Sequence, residues 1–218
     1  DRQMFCYQRN FGCPTEVVSK QQFRALVEAP ETFRKVKEGR EALAKGDKAA
    51  YDRLKKSLPF VIFIATYGET ISAKSQKPGA WRKQAACRLN GLCVIDFDHV
   101  EGDVRQVWEE ACAKLSDEDR QRILLVFVTP SGHGLKVVFI ADVKGNLIDN
   151  QREFSQKLGL NPDESCKDAS RGAFLTTSED IILLDERLYT YENKAYGEKY
   201  NEAYHQGKSQ PTGQNQPT

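Results

Sequence analysis

Nowhere does this 218-residue chain carry more than six consecutive apolar residues, whereas a membrane-spanning helix needs roughly twenty. No membrane partner is therefore expected. A basic-then-apolar leader is missing too, so nothing directs the chain to secretion, and the expected setting is cytoplasmic. The chain opens at Asp1 rather than Met and reads as a fragment or a processed form. Six cysteines occur, Cys6, Cys13, Cys87, Cys93, Cys112 and Cys166, and no two have C-x-x-C spacing, which removes a zinc knuckle or dithiol redox motif. Cys87, Cys93 and His99 recur every six residues, but buried reduced thiols are the simpler expectation. Acid is absent from residues 70–95, where Lys74, Lys77, Arg82, Lys83 and Arg88 all occur. Residues 101–119, by contrast, hold seven acids against Arg105 and Lys114, although the net charge of the whole chain is only +1. Charge separated in this way can turn one face toward a polyanion.

The patterning that is present divides the chain. Residues 1–59 read as a mainly helical region packed on the core. Ser19 to Gln22 is a capping-box start ahead of Phe23, Leu26 and Val27, a second helix follows Pro30, and Asp47 caps a third that carries Ala50, Tyr51, Leu54 and Leu58 and ends at Pro59. Residues 60–207 form the core. The apolar runs 60–65, 92–97, 123–128 and 135–141 read as strands, and residues 66–89 as a long loop. Asp103 caps a helix with Val104, Val107, Trp108, Ala111, Cys112 and Leu115 on one face, so Trp108 is expected in the core. A helix at about 149–158 and a strand pair at 172–177 and 181–184 complete a mixed sheet backed by helices. Residues 208–218 contain no apolar side chain and read as a flexible linker.

Three segments carry chemistry. Asp96 and Asp98 end an apolar strand at i and i+2, on one face and roughly 6–7 Å apart. Two carboxylates that close ask for a cation, and hard oxygens suit Mg²⁺ or Mn²⁺ completed by substrate phosphates. The turn from Thr129 to Gly134 places Ser131, Gly132, His133 and Gly134 between two apolar strands, with Lys136 just beyond. Glycines there let backbone amides approach an anion, and Lys136 adds a fixed charge. Residues 161–171 crowd acids, cations and hydroxyls together; Asp163 or Asp168 can complete the carboxylate set, and Arg171 can clamp a triphosphate. In the acid-free stretch, Lys77, Arg82 and Lys83 are expected on nucleic-acid phosphates, with Trp81 stacking on a base.

The runs L-K-K-S-L-P-F-V-I-F (54–63), N-G-L-C-V-I-D-F-D (90–98), T-P-S-G-H-G-L-K-V-V (129–138) and D-E-S-C-K-D-A-S-R (163–171) together resemble the VirE N-terminal-type domain of Bacteroidetes proteins, over about residues 5–185. That family is in turn similar to the archaeo-eukaryotic primase superfamily. The resemblance implies an α+β fold with a primase-like, RRM-related mixed sheet. It implies Mg²⁺ or Mn²⁺ on Asp96, Asp98 and a third acid, of which Asp163 matches better than Asp168. It also implies a nucleoside triphosphate gripped by Ser131, Gly132 and Gly134. The superfamily's nucleotide-gripping histidine falls at Lys136, so His133 is not its equivalent. The function implied is nucleotidyl transfer on DNA, more than on RNA, in the replication of a mobile element. A non-catalytic nucleic-acid-binding module attached to a C-terminal helicase and a metal-dependent nuclease are the alternatives.

Overall fold

The computed structural model describes residues 4–162 and 172–206. Its N-terminal part opens with β1 (Cys6–Gln8) and β2 (Glu16–Val17), followed by α1 (Lys20–Glu28), α2 (Pro30–Ala44) and α3 (Lys48–Lys56). The helix starts follow from local chemistry. Ser19 and Gln22 form the capping box, Pro30 takes the first position of α2, where a missing N–H costs nothing, and Asp47 accepts from the Ala50 N–H. β3 (Phe60–Ile62) then pairs with β1 on one side and with β11 (Ala173–Phe174) on the other, in the order β11-β3-β1-β2.

The run 60–65, expected as one strand, breaks after Ile62. β4 (Ala65–Tyr67) leaves to pair with β7 (Cys87–Leu89), and β5 (Thr70–Ile71) and β6 (Pro78–Gly79) form a hairpin between them. The expected loop at 66–89 is thus a small ribbon. Strands of two or three residues are too short for a readable alternation, and Pro78 and Gly79 look like punctuation.

A second four-stranded sheet carries β8 (Leu92–Phe97), β9 (Ile123–Val128), β10 (Leu135–Ile140) and β12 (Ile181–Leu184), ordered β12-β9-β10-β8. α4 (Val104–Ala113), capped by Asp103, and α5 (Asp117–Gln121) cross from β8 to β9. β10 then folds back and inserts between those two strands, a split β-α-β arrangement. β8 and β9 run parallel but never touch, so every ladder among the described residues is antiparallel where a mixed sheet was expected. Strand–helix alternation suggests parallel neighbours; the inserted hairpin removes them. Likewise 172–177 and 181–184 do not pair with each other, because β11 joins β3 and β12 joins β9. The α+β class with a helical N-terminal region holds.

α6 (Leu147–Leu158) backs β8: the Gln151 side-chain amide donates to the Val94 carbonyl (3.1 Å), and Phe154 stacks on Phe139 at 4.1 Å. Trp108 is buried, as expected. Burial pushes the Cys6 thiol up to about 12 and raises Cys93 further, so both are inert packing groups. α7 (Lys194–His205) was not foreseen. It brings Tyr196 and Tyr204 into the core and clasps β7, where Asn201 accepts from the Leu89 N–H at 2.9 Å. Among the described residues, no helix is long and apolar enough to cross a membrane.

Asn150 holds the entry to α6. It is buried, accepts from the Asp142 N–H (2.7 Å), and its amide nitrogen lies 2.9–3.0 Å from the carbonyls of Asp142, Gly145 and Asn146. Asn150→Leu keeps the volume and takes this partner from the Asp142 N–H and the Gly145 carbonyl, each at a cost of about 1–3 kcal/mol. Urea unfolding is expected to show a loss of roughly 3 kcal/mol or more; a loss below about 1 kcal/mol would mean that this loop is not held by Asn150.

Candidate functional site

The end of β8 and the β9–β10 turn are tied into one unit. The Val100 N–H donates to the His133 carbonyl (2.7 Å), joining the chain beyond Asp98 to the tip of the turn. His99, between them, is left-handed with φ 53°, a conformation uncommon outside glycine. Within the turn, Thr129 N–H donates to Gly134 O (3.0 Å), Gly132 N–H to Thr129 O (2.9 Å) and His133 N–H to Ser131 Oγ (3.1 Å). Those three amides are engaged within the turn itself. Gly132 has φ +82°, and a Cβ on Gly134 would come within 2.6 Å of Thr129 Oγ1 and 3.0 Å of Phe97 O. Both glycines are therefore required by geometry.

Register sets the charges. Lys136 lies directly across from Asp96 in the β10–β8 ladder, and its Nζ is 3.2 Å from Asp96 Oδ2. Both side chains are largely buried, at 11% and 14% exposure. The cation that meets Asp96 here is thus a lysine of the neighbouring strand. Such a pair is worth little net, because desolvation offsets the attraction, but removing one partner alone costs about 3–5 kcal/mol. Asp98, two residues on, is exposed.

A cavity of about 640 Å³ opens over this unit. Asp96, Asp98, His99 and Lys136 line it from the sheet, and Ser131 and His133 from the turn. The opposite wall is α3, with Lys48, Tyr51, Asp52 and Lys55, and Phe174 of β11 closes one side. Burial raises the Tyr51 hydroxyl above its usual pKa, with a hydrogen bond to Ser131 acting the other way. Lysines at 48, 55 and 136 therefore share the lining with carboxylates at 52, 96 and 98. Among the described residues no three His, Cys, Asp or Glu side chains gather as a metal site. Asp163, Asp168 and Arg171 lie outside the described residues, as does the 208–218 segment. Two hard carboxylates one strand repeat apart still suit Mg²⁺ or Mn²⁺, with Lys136 as the competitor for Asp96.

The structure brings Asp96, Asp98, Ser131, His133 and Lys136 to one cavity and sends Lys77, Trp81, Arg82 and Lys83 elsewhere. The Trp81 indole donates to Lys77 O (2.8 Å), Lys83 Nζ donates to Ile71 O, and the Arg82 guanidinium sits 4.8 Å from the centre of the Phe60 ring. Lys83 is thereby tied to its own loop, Arg82 lies against a ring, and Lys77 is exposed.

Sequence reasoning missed the second wall and its clamp. Arg40 of α2 donates from Nε to Pro130 O (3.1 Å) and from Nη2 to Thr129 O (3.1 Å), while pairing with Asp180 at 2.9 Å. Asp180 also accepts from the Thr176 hydroxyl (2.8 Å). No local pattern marks Arg40, because its partners are 89 to 140 residues away. Arg40→Met is expected to lower stability by about 2–3 kcal/mol and to speed amide exchange through residues 129–134. Unchanged exchange there would show that the turn holds its shape without α2.

Comparison with known proteins adds one finding. The family model described as BT4734-like, N-terminal domain matches residues 53–182. No curated protein and no solved structure matches the chain. The matched span begins inside α3 and ends in β12, so it contains Asp96, Asp98, the turn and Lys136 but not Arg40, Lys48 or Tyr51. Since that span exceeds half of the 218 residues, the chain belongs to the BT4734-like N-terminal domain family.

Proposed function

We propose that the cavity over Asp96, Asp98 and Lys136 binds a metal-chelated nucleoside triphosphate, and that the domain handles nucleic acid in the manner of the primase-polymerases that its sequence resembles. The observation that carries this reading is the mixed-sign lining. A bare polyphosphate would meet Asp52, Asp96 and Asp98 as well as the lysines, whereas a nucleotide that brings its own divalent cation satisfies both signs at once. The volume, about 640 Å³, lies within the range of ligand sites.

Asp96 and Asp98 would hold Mg²⁺ or Mn²⁺, which polarises phosphoryl oxygens and activates an attacking hydroxyl. Lys48 and Lys55 enter from α3, Lys136 from the sheet, and together they neutralise phosphate oxygens. Tyr51 and Phe174 add apolar ring surface beside Lys55, and Ser131 offers a hydroxyl. The primase-like and VirE relationship, a mobile-element setting and a C-terminal helicase neighbour belong to this proposal. A binding module without turnover is the second reading, and the Lys136–Asp96 contact favours it, since a lysine on that carboxylate competes with a metal.

Lys136→Met should weaken nucleotide binding about tenfold or more, the worth of one charge-assisted hydrogen bond. Because this change also takes one partner from Asp96, the double variant Asp96→Asn/Lys136→Met is the control. It should regain most of the lost stability but not the affinity. Nucleotide binding as tight as wild type in Lys136→Met would remove the lysine from the site.

Calorimetry with Mn²⁺ tests the metal. Asp96→Asn/Asp98→Asn should abolish the binding heat, and equal heats in variant and wild type would place the metal elsewhere. A labelled primer-template with deoxynucleotides and Mn²⁺ then separates the readings: extension for the enzyme, retention alone for the binding module, shortening for a nuclease.

A further inference from the structure

The cavity continues outward along a row of rings. Phe174, on its wall, is the direct cross-strand partner of Phe60, with ring centres 5.1 Å apart. Phe11, in the turn after β1, completes the group at 5.4 Å from Phe60 and 6.0 Å from Phe174, all three meeting edge to face. Phe60 is buried, Phe174 half-buried, and Phe11 is 53% exposed. A lone exposed ring is ordinary, but this one is backed by two others and flanked by cations. The Arg82 guanidinium lies over Phe60 (4.8 Å) and Phe11 (5.4 Å). At the cavity end, Lys55 Nζ lies 5.8 Å from the Phe174 ring and 5.3 Å from that of Tyr51. Trp81, half-exposed, precedes Arg82 in the chain.

Rings interleaved with cations match a strand whose bases are unpaired, because each base offers a flat face and each phosphate a negative charge. A duplex hides its base faces in its own stack and gains only from the cations. We infer that Phe11 and Phe174, supported by Phe60 and flanked by Arg82 and Lys55, form a stacking platform for single-stranded nucleic acid that leads to the cavity. The direction of the strand rests on the proposed function; the binding itself rests on this surface alone.

The test is fluorescence anisotropy on the full chain with a labelled oligodeoxythymidylate of about twenty nucleotides, at several salt concentrations. Phe11→Leu keeps apolar bulk without a ring and should weaken binding roughly 5- to 100-fold. Phe11→Tyr should hold affinity near wild type. Arg82→Gln should reduce the slope of log affinity against log salt by about 0.7. Nucleotide binding, measured separately, should be unaffected by Phe11→Leu, and Lys136→Met should show the reverse pattern, so failure of the platform and failure of the cavity are read on different assays. Phe11→Leu binding the oligonucleotide as tightly as wild type, a wild-type chain that ignores it, or a preference for duplex would each overturn the platform.

Discussion

The antiparallel register between β8 and β10 sets Lys136 against Asp96, and the site is built around that alignment. Side chains alternate along a strand, so a slip of β10 by one residue would turn Lys136 into the apolar layer under α6 and bring a neighbouring apolar residue out in its place. The apolar residues between the charges prevent it. Cys93, Ile95, Phe97, Val137 and Phe139 are all buried on the α6 side, and the Phe139–Phe154 stack locks that layer. The opposite face carries the ion pair beside Val138 and Phe127, at the floor of the cavity.

A second constraint joins this sheet to the N-terminal part of the chain. Phe63 reaches Phe127 across the gap between the sheets, and Phe5 and Phe23 pack behind Phe63. With those rings in place, α2 and α3 come to rest over the β9–β10 turn, where Arg40 can hold two of its carbonyls. The helices thus form a wall of the cavity as well as a cover for the core.

Much of this was legible in the sequence where elements are long. The three six-residue strands showed as apolar runs, and Ser19, Asp47 and Asp103 marked helix starts because a cap is a local event. The β8 carboxylates, the turn and Lys136 were readable for the same reason. The two-residue strands were not, since their existence depends on partners far away in sequence. α7 was missed although Tyr196, Tyr200 and Tyr204 fall at helical spacing behind Asn193, because tyrosines are weak markers of a buried stripe. Arg82 was legible as a cation of the acid-free stretch, whereas its place over Phe60 and Phe11 was not, because sequence distance conceals both rings. Arg40 and Tyr51 belong to the same class: nothing beside them in the chain reveals what they face.

The Arg40–Asp180 bond also has a bearing on synthesis. Its two ends are 140 residues apart, and Asp180 lies in the short turn between β11 of one sheet and β12 of the other. During translation the helices and the turn emerge well before the carboxylate that joins them. At 5–20 residues per second the roughly fifty residues between the turn and Asp180 take about 3–10 seconds. For that interval α2 has the turn's carbonyls but not its counter-ion, so the clamp on this wall of the cavity closes only late in synthesis.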